Sequence, residues 1–351
     1  MNLVLLNYSM SRSNLVFAHQ VESAIALAKY FDKVTVLTQE LPDECLPKNI
    51  QVIQVPWVKN AALVNVYKLL RVFFPLILRN KDLIVFTHMT DVHAALISPI
   101  TWLMRIRHVL WYAHAHNSLY LIWSSMFVNK IVSSTSGSCN LRINRRKIIY
   151  INQGIDTRNF PLQLRTSDCL SSIVYYGRLD KSKNIHLFPS LIKKLNEESN
   201  LYSLDIFGKS LSTESEKYLE SIKDALAFSD NQKAINFKGP IMREMVPQVT
   251  RGYNLFINLF SGSLDKTLIE STFMGLPVIT WNREYCSQFG TWSKQEVTQT
   301  QRFLLNEIAA INSMNRVEQE NEILRRRKLA IENHSFEQWI VKLYLALKGV
   351  S

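Results

Sequence analysis

Glycine is scarce in this chain. Only ten occur in 351 residues, and none precedes Gly137. A dinucleotide fingerprint, Gly-x-Gly-x-x-Gly after a first strand, is therefore impossible in the first domain, which argues against a nicotinamide or flavin oxidoreductase of that kind. Cysteine is also sparse. Cys45, Cys139, Cys169 and Cys286 stand far apart with no Cys-x-x-Cys, so neither a zinc ribbon nor a disulfide framework is indicated, and a reducing, cytosolic location is expected. There is no P-loop, no Gly-x-Ser-x-Gly elbow, no His-Glu-x-x-His and no Asp-x-Asp. The last absence leaves no obvious carboxylate pair for a metal. No fully apolar, uncharged run reaches the ~18 residues of a membrane span. Residues 108–129 carry no formal charge, but His108, His114, His116, Asn117 and several serines interrupt them. The opening residues, MNLVLLNYSM, lack the basic leader and cleavage site of a signal peptide and read as a buried first strand.

What is present describes a globular chain, 47% hydrophobic and 20% charged, long enough for two domains with separate cores. The net charge of +12 is uneven: residues 1–160 hold 17 Lys/Arg against 8 Asp/Glu, and residues 161–351 hold 24 against 21. The first half is suited to an acidic partner such as a phosphate-bearing acceptor, anionic lipid or nucleic acid, or simply has a solvated basic surface. Nucleic acid is not expected, because no aromatic residues interleave a basic stripe.

Short apolar runs alternate with helix-length segments. Strands are expected at 3–6, 33–37, 51–55, 83–86, 108–112, 130–133 and 147–151, and again at 172–176, 204–207, 234–237, 255–259 and 278–280. Helical patterns lie between them, as at 17–30. This alternation predicts parallel sheets covered by helices: an α/β protein of two doubly wound, Rossmann-like domains facing across a cleft. The expected division is 1–160, 161–330 and a C-terminal helix at 331–351 packing back toward the first domain, with the junction near 154–171.

Two segments carry the chemistry. The first is Tyr175-Tyr176-Gly177-Arg178-Leu179-Asp180-Lys181-Ser182-Lys183-Asn184. Gly177 lets backbone approach a ligand, and Arg178 and Lys183 follow a strand's C-terminal end, where open α/β sheets bind ligands. A guanidinium grips phosphate with two bonds, and an ammonium adds a compact charge. A solvated turn is the plain alternative. The second is Ser261-Gly262-Ser263-Leu264-Asp265-Lys266-Thr267-Leu268-Ile269-Glu270, followed by Ser271-Thr272-Phe273-Met274-Gly275-Leu276-Pro277-Val278-Ile279. It reads as loop, helix, glycine stop and strand. The helix start near Asp265 or Lys266 is a potential anion site, and Glu270, a turn further in, is placed to accept ribose hydroxyls. The plain alternative has Asp265 as an N-cap and Glu270 exposed.

In order along the chain, Gly-Arg-Leu-x-x-x-Lys, Leu204-Asp205-Ile206-Phe207-Gly208, Phe237-Lys238-Gly239, the loop-helix and Gly-Leu-Pro-Val-Ile resemble glycosyltransferase family 4, in particular bacterial surface-polysaccharide transferases. Ile151-Asn152-Gln153-Gly154-Ile155-Asp156 is similar to that family's turn between domains, and Trp111-Tyr112-Ala113-His114 to the strand end that supplies a sugar-contacting histidine. The resemblance implies the GT-B fold and a retaining transferase that moves a hexose or N-acetylhexosamine from a nucleotide diphosphate sugar to a glycan acceptor. It implies that Arg178 and Lys183 hold the diphosphate, with His114 on the donor sugar as the third catalytic residue. Glu270 would bind the ribose, and Asp265, Lys266 and Thr267 would line the sugar and phosphate. Gly177 would admit the donor, and segments 207–209 and 239–242, with Gly208 and Ile241, would flank the base. Uridine is the expected base on frequency among such enzymes.

Two departures stand out. The family pattern is Glu, seven residues, Glu, and here Gly262 occupies the first position. Asp265 is expected to assume some of its polar contact. The first loop, Tyr8-Ser9-Met10-Ser11-Arg12-Ser13, lacks the family's paired glycines, leaving Ser11 and Arg12 as candidate acceptor or phosphate contacts. No cofactor or metal is expected, since the cations replace a metal's charge. Residues 61–74 read as an apolar helix with a polar stripe of Asn65, Lys68 and Arg71, closed by Pro75, near basic Arg79, Lys81, Arg105 and Arg107. Such a helix suits a membrane interface or an inner helix, and the former reading implies peripheral attachment to the inner leaflet and a lipid-linked acceptor. The rival functions are a non-catalytic binding or assembly subunit, motivated by Gly262, and a nucleotide-sugar epimerase of the same fold.

Overall fold

The computed structural model describes residues 1–14, 17–79, 82–114, 116–167, 169–197, 201–227 and 233–350. Two compact units emerge, one of Met1–Asn152 with Glu337–Ser351 and the other of Gln153–Phe336. The chain thus changes unit at Asn152, earlier than the junction expected near 154–171. Ile155 and Phe160 explain the shift, because both are fully buried in the second unit's core beside Phe273 and Leu268.

The first unit has a seven-stranded parallel sheet ordered β3-β2-β1-β4-β5-β6-β7. Its strands are β1 (Asn2–Leu6), β2 (Lys33–Thr38), β3 (Ile50–Gln54), β4 (Leu83–His88), β5 (Arg107–Trp111), β6 (Lys130–Ser133) and β7 (Ile148–Tyr150). The central strands read as continuous apolar runs because helices bury both faces. Helices α1 (Ala18–Ala28), α2 (Ala62–Arg79), α3 (Asp91–Leu103) and α4 (Leu119–Phe127) connect them. Leu69, Phe73 and Ile77 of α2 and Ile97 of α3 pack on Val4, Leu6 and Val85. Ala94 of α3 and Leu121 of α4 pack on Leu110 and Ile131. Register pairs Val4 with Val85 and Thr87 with Leu110, so these clusters share one sheet face, and α2, α3 and α4 form one layer. The last helix, α12 (Phe336–Lys348), covers the other face, where Trp339 lies 5.1 Å from Trp111 and Tyr344 stacks on Tyr30 at 4.6 Å.

Helix α2 corrects two expectations, and Arg107 of β5 a third. Pro75 does not close it; the helix runs on to Arg79. Pro75 is exposed, so the Arg71 carbonyl that loses its partner there remains open to water. Asn65 belongs to no surface stripe: it is buried, and its side chain bonds both the N–H and the C=O of Val58 at 2.8 Å. Arg107 is equally committed, donating to the Leu347 and Ala346 carbonyls at the end of α12. Lys81 lies outside the described residues.

Two buried histidines make this unit acid-sensitive. His108 bonds the hydroxyls of Thr87 and Thr101 at 3.2 and 3.0 Å, and burial pushes its pKa down to about 3. His93 is pushed down to about 4 by burial, against the pull of Asp91. Both are neutral when folded and take up a proton near pH 6.5 when unfolded, so stability is complete above that pH and falls as pH drops toward the folded values. Between pH 7 and 5.5 the loss should be roughly 2 kcal/mol by denaturant titration. His108→Gln should remove about half of that slope; an unchanged slope would contradict the assignment.

The second unit carries a five-stranded parallel sheet ordered β10-β9-β8-β11-β12. Its strands are β8 (Ser172–Tyr176), β9 (Ser203–Phe207), β10 (Ile235–Gly239), β11 (Leu255–Asn258) and β12 (Val278–Thr280). Around them lie α5 (Phe188–Asn196), α6 (Thr213–Ala227), α7 (Val246–Val249), α8 (Lys266–Phe273), α9 (Arg283–Phe289), α10 (Gln301–Asn312) and α11 (Arg316–His334). All twelve expected strands form, displaced by at most two residues at either end.

Candidate functional site

The chain leaves β8 outward to β9 and β10, then returns to place β11 on β8's other side. The β8/β11 boundary is therefore a topological switch point, where loops diverge and leave a crevice beyond the strands' carboxyl ends. Both chemistry-bearing segments sit there: 177–183 follows β8, and 259–265 follows β11.

Glycines shape the β8 side. The Gly177 N–H bonds the Phe207 carbonyl at 3.1 Å, and the Gly208 N–H bonds the Gly239 carbonyl at 2.8 Å. At Gly208 φ is +155°, and a Cβ would stand 2.0 Å from the Gly177 carbonyl oxygen. Only glycine lets these loops stack so closely. Arg178 is exposed, and among the described residues its guanidinium makes one long contact, 3.8 Å to Asp180. Asp180 accepts from the Ser182 N–H at 3.0 Å and caps the short turn 181–183, which delivers Lys183 inward. Ile241, after β10, is half-buried against the core that holds Tyr176 and Leu268.

Lys183 is buried, not solvated. Its ammonium lies 2.5 Å from Asp265 and 3.7 Å from the centroid of the Phe260 ring. Asp265 is the N-cap of α8, accepting from the Thr267 N–H at 3.4 Å. Asn258 donates to both Asp265 and the Thr267 hydroxyl, at 3.2 and 3.1 Å. Burial alone would raise the Asp265 carboxyl's pKa; the charge and hydrogen bond of Lys183, with Asn258 and Thr267, outweigh it and hold it below the usual carboxylate range. Asp265 therefore closes the helix start itself, and its oxygens are committed to Lys183, Asn258 and Thr267.

The intervening loop is pinned at both ends. Asn282 donates to the carbonyls of Phe260, Gly262 and Ser263, Glu284 accepts from the Leu264 N–H at 2.6 Å, and the Trp281 indole bonds the Leu259 carbonyl at 2.7 Å. At Gly262 the space a side chain needs is filled by the Phe260 ring, 2.3 Å from an added Cβ.

Glu270 is buried within α8, not exposed. Its carboxylate takes a 2.6 Å bond from Arg243, a half-exposed residue after β10 whose guanidinium also lies 5.4 Å from the Phe160 ring. Lys266 is partly buried at the first position of α8. Burial pushes its pKa down to about 8, aided by Arg243 and opposed by Glu270 and Asp265. Its charge is thus present at pH 7 and largely lost at pH 9 in the free protein. A diphosphate should restore that charge, so binding at pH 8.5 should take up roughly half a proton or more, and none at pH 7. Calorimetry in buffers of different protonation enthalpy measures this, and Lys266→Met should abolish it; equal uptake at both pH values would rule out Lys266 as the source.

The sequence-derived residues of this unit converge on one edge: Gly177, Arg178, Lys183, Gly208, Ile241, Asp265, Lys266, Thr267 and Glu270. Arg243, Asn258, Asn282 and Glu284 also belong there and were not foreseen. Their only signal is position, each within a few residues of a strand's carboxyl end.

In the first unit, Ser11 and Arg12 follow β1 at that sheet's own switch point, between β1 and β4. Ser11 is buried and donates to Asp43 at 2.9 Å; the Arg12 N–H bonds Asp43 at 3.0 Å. The Arg12 guanidinium pairs with Glu22 and Glu44. Both candidate contacts are thus engaged by acidic side chains. His114 lies three residues beyond β5, exposed, its ring edge-on to Tyr112 at 5.5 Å. Among the described residues no three His, Cys, Asp or Glu side chains gather as a metal site.

No protein-family model and no curated protein match the chain in sequence. Solved structures do match in shape. A glycosyltransferase from Rickettsia africae is similar at a TM-score of 0.76 and 14% identity, over 99% of this chain and 98% of the other. Anabaena HepE, solved with UDP and glucose, is similar at 0.71 and 12% identity, over 99% of both chains. The lipopolysaccharide outer core galactosyltransferase WaaB is similar at 0.68 and 12% identity, over 99% of both. At such identities the likeness shows the fold: an α/β protein of two doubly wound, Rossmann-like units, of the GT-B type.

Proposed function

We propose that the chain is a glycosyltransferase that takes a hexose or N-acetylhexosamine from a UDP-sugar and places it on a glycan acceptor, with retention at the anomeric carbon. The observation that carries this reading is the β8/β11 edge, where Arg178, Lys183 and Lys266 stand beside a buried carboxylate, Glu270, on α8. Breaking the bond between anomeric carbon and phosphate leaves charge on the departing diphosphate and an oxocarbenium-like sugar, while the acceptor hydroxyl forms the new bond and passes its proton to the departing diphosphate oxygen. Fixed cations stabilise the leaving group without reorganisation. Lys183 and Arg243 are each held by a carboxylate, so Arg178 and Lys266 are the cations with least compensation near the phosphate. Glu270 would exchange Arg243 for ribose hydroxyls. HepE in complex with UDP-glucose supports the uridine donor, and WaaB, by its name, supports a surface-polysaccharide acceptor. We assign the acceptor to the first unit and a lipid to the acceptor's anchor, because that unit carries the positive charge excess.

The test is product analysis with a panel of UDP-sugars and lipid-extracted glycans. Glycosylated acceptor plus UDP is the expected outcome. An epimeric donor formed without acceptor would identify an epimerase, and UDP binding without turnover a binding subunit, the reading that Gly262 motivates. Because the cations do a metal's electrostatic work, activity should be unchanged in EDTA; loss in EDTA with recovery on adding Mn²⁺ would refute that.

A further inference from the structure

The loop that follows β11 holds its backbone polar groups in two different states. Asn282, just after β12, is fully buried, and its amide donates to the carbonyls of Phe260, Gly262 and Ser263 at 3.1, 3.0 and 3.3 Å. Its side-chain oxygen accepts the Tyr285 N–H at 3.0 Å and so caps α9. Gln153 donates to the Leu264 carbonyl at 3.0 Å, and the Phe260 N–H bonds the Asn258 side chain at 2.9 Å. By contrast, the N–H groups of Ser261, Gly262 and Ser263 have no acceptor among the described residues.

Peptide geometry fixes where two of these amides point. Across a trans peptide bond the carbonyl of one residue and the N–H of the next face opposite ways. The Phe260 and Gly262 carbonyls are turned inward onto buried Asn282, so the Ser261 and Ser263 N–H groups are turned outward. Ser261 and Gly262 are exposed and Ser263 is half-buried. The two amides thus open onto the β8/β11 edge, on the segment that leads into Asp265 and α8. The loop cannot relax easily from this arrangement. One buried amide shares two N–H bonds among three carbonyls, and the Phe260 ring fills the space beside Gly262, 2.3 Å from an added Cβ.

We infer, resting on the UDP-sugar reading, that Asn282 is a positioning residue for sugar transfer: it fixes residues 260–263 so that the Ser261 and Ser263 N–H groups meet an oxygen of the donor, on its phosphates or its sugar. Fixed N–H dipoles suit such an oxygen, because they are already oriented when charge develops on the leaving group. The loop's own side chains, two serines and a glycine, bring no carboxylate to compete for them. Fully buried, Asn282 stays out of the donor's reach and acts through the loop. Gly262 gains a role from the same geometry, since a side chain there would push the Phe260 ring and the loop apart.

Asn282→Ser in the full chain tests this. Serine keeps the cap on α9 but is too short to hold three carbonyls. With the UDP-sugar that supports turnover in the parent, kcat/KM for the donor should fall at least ~tenfold while KM for the acceptor stays unchanged. Amide hydrogen exchange across residues 259–265 reads the loop itself: the UDP-sugar should slow it in the parent and not in the variant. If UDP alone slows it as much, the amides meet a phosphate oxygen; if only the UDP-sugar does, they meet the sugar. Gly262→Val, which leaves Asn282 and the cap in place, should reproduce the loss, and it decides the matter if Asn282→Ser does not fold. Parental donor kinetics in either folded variant, or exchange in the parent that the UDP-sugar leaves untouched, overturns the inference. A parent without a UDP-induced thermal shift fails earlier, at the donor site, and takes the inference with it.

Discussion

Arg178→Ala should lower turnover about a hundredfold, equivalent to roughly 3 kcal/mol of transition-state stabilisation, and leave the fold intact. The two effects separate because of where Arg178 sits. It follows β8 at the switch-point edge, yet its side chain is 60% exposed and its one ion pair among the described residues, to Asp180, is 3.8 Å long. Such a contact contributes well under 1 kcal/mol to stability. The turn does not depend on the guanidinium either, because the Tyr175 hydroxyl holds the Arg178 backbone carbonyl at 2.8 Å. Steady-state kinetics and a thermal melt on the same preparation check both halves. Near-parental turnover would remove Arg178 from the site, and a melt lowered by many degrees would mean that the side chain is structural.

Lys183→Met should behave in the opposite way, costing stability first. Its ammonium is buried 2.5 Å from Asp265, itself largely enclosed. Removing the cation leaves a buried carboxylate uncompensated, at a cost of about 3–5 kcal/mol. A second substitution distinguishes the roles. Lys183→Met/Asp265→Asn should recover most of the stability, because a neutral amide needs no counter-charge, and should not recover turnover. Denaturant titration with parallel kinetics measures both. Full activity in the double variant would make the pair a purely structural one.

These two variants also mark what was legible in the sequence. The strands were readable because each is a short apolar run between polar turns, and in a parallel sheet with both faces covered that pattern leaves little alternative. Arg178, Lys183, Asp265 and Glu270 were readable as positions because they follow strand ends or cap a helix that Gly275 and Pro277 terminate. Their state was not. The sequence allowed Lys183 to be a solvated turn residue and Glu270 an exposed helix residue; burial and pairing with Asp265 and Arg243 come from residues 82 and 27 positions away. Ser11 and Arg12 illustrate the same limit, since Asp43 and Glu44, which engage them together with Glu22 of α1, arrive on the segment after β2. Pro75 misled because a proline usually ends a helix. In α2 it stands on the exposed side, and the packing of Phe73 and Ile77 outweighs one lost hydrogen bond.

A thermal-shift panel with UDP, GDP, ADP and CMP on the parent and Arg178→Ala proteins tests most directly whether a nucleotide diphosphate binds at the β8/β11 edge. At about a hundred times its dissociation constant, a bound ligand should stabilise the protein by roughly 2.7 kcal/mol. If the diphosphate binds at this edge, UDP gives a shift that is lost in Arg178→Ala. No shift with any of the four, or a UDP shift that Arg178→Ala leaves untouched, would contradict it.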